Sequence, residues 1–262
     1  MTISAPTPLA AFARRRFGAV LPAPAETRLW QPGANERLDE RPNERHSELF
    51  AAPGDAAGAG LALAFALAQL RGQAADPVAD HPDERPWLWV QDATALRLTG
   101  RPYRPGLPPM LRHRLIHVAA KTPEDALFAL EEGLRCRDLA FVVGEIAGNP
   151  RALSLTAQRR LSLVAEKHGV PLWLVRVGAE RDLSSARQRW AVRAAPSLPP
   201  RWNAQAPGAP AWQAELFRAR NHPPGEWILR NDGQVLTAEP ARPAPHHGDL
   251  AAPAGDRPLA AG

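Results

Sequence analysis

The sequence ELFAAPGDAAGAGLALAFALAQL, residues 48–70, decides the fold. A short apolar segment at Glu48–Phe50 leads into a loop that contains glycines, and Ala56–Leu70 is then apolar on nearly every face. A helix without a polar face is a buried helix. The stretch therefore predicts a strand, a loop and a helix packed against a sheet, which is the layout in which phosphate-binding loops occur.

Apolar segments and helical patterns alternate beyond this stretch. One helix is predicted to begin at Thr122, which precedes Pro123 and two acidic residues, and another runs from near Ser154 to Gly169. Strands that alternate with helices predict an α/β fold with a mostly parallel sheet flanked by helices. The predicted strands are Glu48–Phe50, Trp87–Gln91, Leu115–Ala119, Leu139–Val143 and Pro171–Val177.

The pattern becomes β-rich after about residue 185. An Asn231-Asp232-Gly233 turn favours an antiparallel hairpin that returns through Val235 and Leu236. The tryptophans at strand-like positions are better explained by packing than by stacking on nucleic-acid bases, and they are Trp190, Trp212 and Trp227. Further strands are predicted at Arg189–Ala195, Trp212–Arg220 and Glu226–Arg230.

Both ends of the chain are rich in proline and poor in patterned apolar residues. Such segments bury too little surface to offset the entropy lost on ordering. We therefore divide the chain into a flexible lead-in at 1–45, an α/β core at 46–185, a β-rich extension of that core at 186–237 and a disordered tail at 238–262.

The loop after the first strand lacks the groups that hold a nucleotide. A working phosphate-binding loop needs a lysine for the terminal phosphates and a hydroxyl for Mg²⁺. The two lysines of the chain lie far downstream, and no serine or threonine occurs between Ser47 and Thr94. We predict a degenerate loop, no nucleotide cofactor and no enzymatic activity, with a DNA-stimulated ATPase as the alternative. The loop residues are Gly54, Gly58, Gly60 and Asp55, which would repel a triphosphate.

Two carboxylates, Asp92 and Glu145, follow apolar segments, where the Mg²⁺-binding or water-activating acids of α/β proteins lie. Without groups to hold phosphate, they are better interpreted as polar caps at strand ends and as vestiges of a site. No catalytic residue and no metal site is predicted. The pair His246-His247 matches no metal-site spacing, and Cys136 belongs to no set of nucleophile and base.

The charge balance is mildly basic, with 32 Lys and Arg against 27 Asp and Glu and a net charge of +5. This excess permits weak contact with DNA or with an acidic partner. Two basic spots are candidates, Arg112 with Arg114 before the third strand and Arg159 with Arg160 on the third helix. The alternative for the helix is a solvated face with an ion pair to Glu166.

Composition also limits where the protein works. A single cysteine excludes a disulfide framework within the chain. The longest uncharged apolar stretch, Ala56–Leu70, is shorter than the roughly 20 residues that a membrane-spanning helix needs. We therefore expect a cytoplasmic protein without a membrane partner.

Several short phrases together resemble one known family, the ImuA proteins, which are RecA-like accessory factors of bacterial SOS mutagenesis. The resemblance extends over about residues 38–232, as an ordered set of phrases. The most specific are WLWVQD at 87–92, YRPGL at 103–107, ALEEGLR at 129–135, VVGE at 142–145, LTAQRRL at 155–161 and WQAELFRAR at 212–220.

This resemblance implies a RecA-like, P-loop-type core and a non-catalytic accessory role in SOS-induced translesion DNA synthesis. The implied partner is an ImuB-type relative of the Y-family polymerases. Through it the chain would associate with the sliding clamp and an error-prone DNA polymerase III α-type subunit, and a relationship with RecA is also implied. A regulator similar to SulA, the SOS-induced inhibitor of cell division, stays as a further alternative.

Overall fold

The computed structural model describes residues 45–74, 83–220, 222–233 and 235–241. The strands are β1 (His46–Ala51), β2 (Trp87–Gln91), β3 (Leu115–Ala119), β4 (Val142–Ala147), β5 (Leu172–Val177), β6 (Gln188–Ala194), β7 (Ala211–Ala219), β8 (Gly225–Asn231) and β9 (Leu236–Pro240). The helices are α1 (Ala57–Ala74), α2 (Ala93–Thr99), α3 (Pro109–Arg112), α4 (Pro123–Arg135) and α5 (Leu155–His168), with a 3-10 turn at Arg104–Gly106.

The strands of the described residues form one sheet in the order β3-β2-β4-β5-β1-β6-β7-β8-β9. The six strands from β3 to β6 in this order run parallel to their neighbours, and β7, β8 and β9 add to them as an antiparallel meander. The prediction of a mixed α/β fold with a large, mostly parallel sheet flanked by helices is confirmed.

Each face of the sheet has its own helix layer. Leu174 of β5 packs in a core with α4 and α5, whereas the next residue, Val175, packs in a core with α1. This alternation follows from the pleat, which directs successive side chains to opposite faces. The predicted buried helix is α1, and no helix of the described residues is long and apolar enough to cross a membrane.

Helices α4 and α5 begin where the sequence predicts, and α5 also ends at the predicted residue. The side chain of Thr122 accepts a hydrogen bond from the backbone nitrogen of Asp125 at the start of α4. Ser154 accepts one from the backbone nitrogen of Ala157 at the start of α5, and Gly169 ends that helix with a left-handed φ of 77°. These caps satisfy amides and carbonyls that the helix itself leaves unpaired.

The β-rich segment shares the sheet and the core of the preceding residues. β6 pairs with β1 on one side and with β7 on the other. Trp190, Trp212 and Trp227 are all buried in the core that contains α1, which confirms that they are packing residues. The extension therefore stabilises the α1 face of the sheet.

The predicted bounds of the fourth strand and of the tail are wrong. The fourth strand was expected at Leu139–Val143 but lies at Val142–Ala147, because Gly144 and Glu145 interrupt the apolar pattern that marks a strand. The tail was expected from residue 238, but β9 continues to Pro240 after the buried Leu236. The predicted lead-in up to residue 44, the tail from residue 242 and the pair His246-His247 lie outside the described residues.

Candidate functional site

The loop between β1 and α1 is closed by one of its own carboxylates. Asp55 Oδ1 accepts a hydrogen bond of 2.8 Å from the backbone nitrogen of Ala57, and Asp55 Oδ2 lies 3.4 Å from the backbone nitrogen of Ala194, which donates to it. Free amides and the positive end of the dipole make a helix N-terminus an anion site. Here that position already carries a negative charge supplied by the chain.

The glycines of this region have different roles. Gly54 lies in the exposed loop with a φ of 76°, where a side chain would strain the backbone. Gly58 and Gly60 belong to α1. A Cβ at Gly58 would lie 2.8 Å from a methyl of Val175, and one at Gly60 would lie 3.3 Å from Nε1 of Trp212. These two glycines therefore allow α1 to approach the sheet, and Gly54 alone of the three lies in the loop.

Asp92 caps a helix. Its Oδ1 accepts hydrogen bonds from the backbone nitrogens of Thr94 and Ala95, at 2.8 and 2.7 Å, at the start of α2. Its Oδ2 accepts a third, of 2.9 Å, from the backbone nitrogen of Ala147 in β4. Three backbone donors occupy this buried carboxylate, so its interpretation as a polar cap at a strand end is confirmed.

Glu145 lies inside β4 and is fully buried, so it is not the strand-end cap that the sequence suggested. Its Oε1 accepts a hydrogen bond of 2.7 Å from Nε1 of Trp89, and its Oε2 lies 2.8 Å from Oγ1 of Thr99. Burial raises the pKa of this carboxyl above its usual value, although the hydrogen bonds from Thr99, Gln91 and Trp89 oppose the effect. The group is held by tryptophan and threonine in a filled polar cluster.

The polar cluster continues towards the β3 edge. Gln91 donates to the backbone oxygen of Gly100 at 2.9 Å, and its Oε1 lies 2.9 Å from Nε2 of His117. Burial lowers the pKa of His117, and the charges of Arg101 and Arg104 act in the same direction. Among the described residues, no three His, Cys, Asp or Glu side chains lie together as metal ligands would.

The first predicted basic spot serves the chain's own backbone. Arg112 donates to the backbone oxygens of Pro105 and Leu107, at 2.7 and 3.2 Å. Arg114 donates to those of Met110 and Asp83, at 2.7 and 2.6 Å. Both guanidinium groups therefore hold the segment between α2 and β3 in place, and both are partly buried.

The second predicted spot divides between two environments. Arg160 pairs with Glu131 of α4. Arg159 is exposed, as predicted, but Glu166 pairs with Arg187 at 3.2 Å. Arg159 lines a groove of about 500 Å³ between α5, the segment before β6 and the end of β7. Further arginines of this groove come from positions that sequence reasoning did not select, Arg187, Arg218 and Arg220.

Sequence reasoning also missed a buried charged cluster on the sheet face opposite α1. Glu48 of β1 accepts hydrogen bonds from Nε of Arg189 at 2.7 Å and from Nη1 of Arg176 at 3.3 Å. Asp182 lies 3.4 Å from Arg176, and Phe50 lies beneath both guanidinium groups. Two acids and two arginines thus join β1, β5 and β6. The signal was an arginine within the apolar strand LWLVRV, residues 172–177.

No model of a known protein family matches the chain, and no curated protein matches it. The resemblance carried by the short phrases therefore stays a proposal.

Proposed function

We propose that this chain is a non-catalytic accessory protein of SOS-induced translesion DNA synthesis, similar to the ImuA proteins. The observation that carries the non-catalytic part is the position of Asp55, whose carboxylate accepts the first free amide of α1. A triphosphate at this helix end would have to displace the negative charge of Asp55, and the loop has no lysine or hydroxyl group to bind the phosphates. The chain would then act by binding other proteins.

The sheet supports a RecA-like core for this proposal. The loop lies at the carboxyl end of β1, between a parallel neighbour on each side, with helix layers on both faces. Ligands of open α/β sheets bind outside the carboxyl ends of such strands. Glu145 and Asp92 lie on neighbouring strands at the same end but are occupied by hydrogen bonds from the chain itself, which fits a nucleotide site that has lost its function.

The partners follow from the resemblance. We propose an ImuB-type protein as the direct partner, with the error-prone polymerase III α-type subunit and RecA as further members of the assembly, in the cytoplasm. Contact with DNA would be weak, since Arg112, Arg114 and Arg160 are committed to groups of the chain itself.

Co-elution tests the proposal. The full chain and a purified ImuB-type protein are combined with and without ATP and separated by size-exclusion chromatography. We expect a complex whose yield does not change with ATP, because no nucleotide site controls it. Separate elution under both conditions would contradict the proposal. Filamentation of undamaged cells that overproduce the chain would favour the SulA-like alternative instead.

A further inference from the structure

We propose that the groove between α5 and the end of β7 is the docking site for an acidic peptide segment that also carries apolar side chains. We call it the basic groove. This inference rests on the proposed function, an interaction protein, and assigns it a surface. The residues that define the basic groove are Leu155, Arg159, Leu163, Arg187, Arg218 and Arg220.

Charge is the first reason. The side chains of Arg159, Arg218 and Arg220 are exposed, and none of them forms an ion pair with another described residue. Among the described residues that line the groove, Glu166 is the one acid, and it already pairs with Arg187. The groove therefore has an excess of three positive charges. Arginine forks bind carboxylates with two parallel hydrogen bonds.

Exposed leucines are the second reason. Leu155 and Leu163 stand on the same face of α5 as Arg159 and are 48% and 57% exposed. Apolar side chains of a peptide would gain from covering them, at about 25 cal/mol per Å² of buried surface. The phosphates of a nucleic-acid backbone cannot cover apolar surface, whereas leucine-sized side chains of a peptide can. Leucines and arginines together favour a peptide over DNA.

The size of the groove limits the ligand. A volume of about 500 Å³ holds a few side chains and not a folded domain. Ser185 lies partly exposed in the groove wall and is a polar contact for a peptide backbone, with its Oγ 2.7 Å from Oγ of the buried Ser162. The ligand is therefore a short segment of a partner.

The test begins with a phage-displayed library of random dodecapeptides, selected on the immobilised full chain. We expect enriched peptides that combine Asp or Glu with Leu, Ile or Phe. The peptide enriched most is then synthesised with a fluorophore and its Kd is measured by anisotropy. The double variant Arg159→Glu with Arg218→Glu should raise this Kd about tenfold or more, because two charge-assisted contacts become repulsive.

Two further variants separate charge from apolar contact. Arg201→Glu makes the same change of charge as each substitution of the double variant. Arg201 lies between β6 and β7, at the ends of these strands away from the groove, so this variant should leave the Kd within a factor of about two. Leu163→Ala keeps the charge and should weaken binding by removing apolar area. Thermal melting checks that every variant is folded, as expected for exposed positions.

Several outcomes would overturn the inference. Selection could enrich no peptide, or only peptides without acidic residues, or the charge reversal could leave the Kd unchanged. Binding of labelled oligothymidylate to the chain is measured in parallel. If the double variant lost this binding but kept peptide binding, the groove would be assigned to DNA. Each of these results is independent of co-elution with the ImuB-type protein. If co-elution failed while the groove still bound the peptide, only the proposed function would be contradicted.

Discussion

The carboxylate of Asp55 lies 2.8 Å from the backbone nitrogen of Ala57 and so caps the helix that a phosphate would otherwise cap. The same carboxylate reaches the backbone nitrogen of Ala194 at the end of β6. One side chain thus fixes the loop to both the helix and the neighbouring strand. We therefore expect Asp55 both to stabilise the loop and to oppose the binding of a phosphate at this helix end.

Replacing Asp55 tests this capping role. Asp55→Ala should lower the free energy of unfolding by about 1 kcal/mol, the usual effect of removing an N-terminal cap. Asp55→Asn keeps a side-chain oxygen that accepts a hydrogen bond from the backbone nitrogen of Ala57, so its free energy of unfolding should fall much less. Urea denaturation measures both. Equal stability of the alanine variant and the unchanged chain would show that the contact contributes nothing.

Protonation of a buried histidine should make stability depend on pH. His46 is buried with Nδ1 2.8 Å from Oγ of Ser162. Burial lowers its pKa from 6.5 to about 4; Arg176, Arg189 and Arg187 act in the same direction, and Glu48 opposes them. As the pH falls from 6.5 to 4, the imidazole of His46 therefore binds a proton in the unfolded chain but stays neutral in the folded chain. Stability is lost over this range, by at most about 3 kcal/mol.

Variants at two histidines isolate this effect. His46→Asn keeps a polar atom near Ser162 without the titration, so its free energy of unfolding should fall less between pH 6.5 and 4. His113 is exposed, and His113→Asn should retain the full dependence. Parallel curves for the unchanged chain and His46→Asn would contradict the assignment.

A neutral Glu145 should be compatible with the fold. Burial raises the pKa of its carboxyl, so the folded chain holds a proton that the unfolded chain releases as pH rises above 4.5. The contribution of this group is present at low pH and is lost as pH rises through the raised pKa. Glu145→Gln keeps an acceptor for Trp89 and supplies a donor for Thr99.

Glu145→Gln should therefore gain stability relative to the unchanged chain as the pH is raised from about 5 to 8, whereas Glu180→Gln, at an exposed position, should not. Urea denaturation at both pH values measures the difference. A loss that grows with pH in the Glu145 variant would mean that the ionised carboxylate is what the fold requires. Any phosphate release that survives Glu145→Gln would point to a contaminating ATPase.

Two ion pairs of very different burial offer a matched comparison. Glu48 and Arg189 are almost fully buried and 2.7 Å apart, whereas Arg181 and Glu215 are both about half exposed at 2.6 Å. Glu48→Ala leaves buried arginines without an acid and should cost about 3–5 kcal/mol. Glu215→Ala should cost less than about 1 kcal/mol. Similar shifts of the two denaturation midpoints would contradict this ranking.

The sequence allowed prediction of the features that local patterns encode. Thr122, Ser154 and Gly169 mark helix ends by their own chemistry, and the apolar run after Glu48 identified α1 as buried. The bounds of the fourth strand were harder to predict, because Gly144 interrupts its apolar pattern. The strand needs glycine at this position, since a Cβ there would lie 2.9 Å from a methyl of Leu130 in α4. That contact is tertiary and leaves no local signal.

The arginines show the same limit at the candidate site. Arg112 and Arg159 look alike in the sequence, yet one donates to backbone oxygens and the other lines a groove. Arg218 joins Arg159 only because β7 ends beside α5, and no spacing along the chain predicts it. The missing lysine and hydroxyl, by contrast, were evident from the sequence alone.

We propose that this fold works without a nucleotide. Isothermal titration of the pure full chain with Mg-ATP, with and without single-stranded DNA, tests it most directly, together with a phosphate-release assay. We predict no saturable heat and no phosphate release above buffer, because Asp55 holds the position that a phosphate needs. Saturable binding of ATP to the folded chain would contradict the claim.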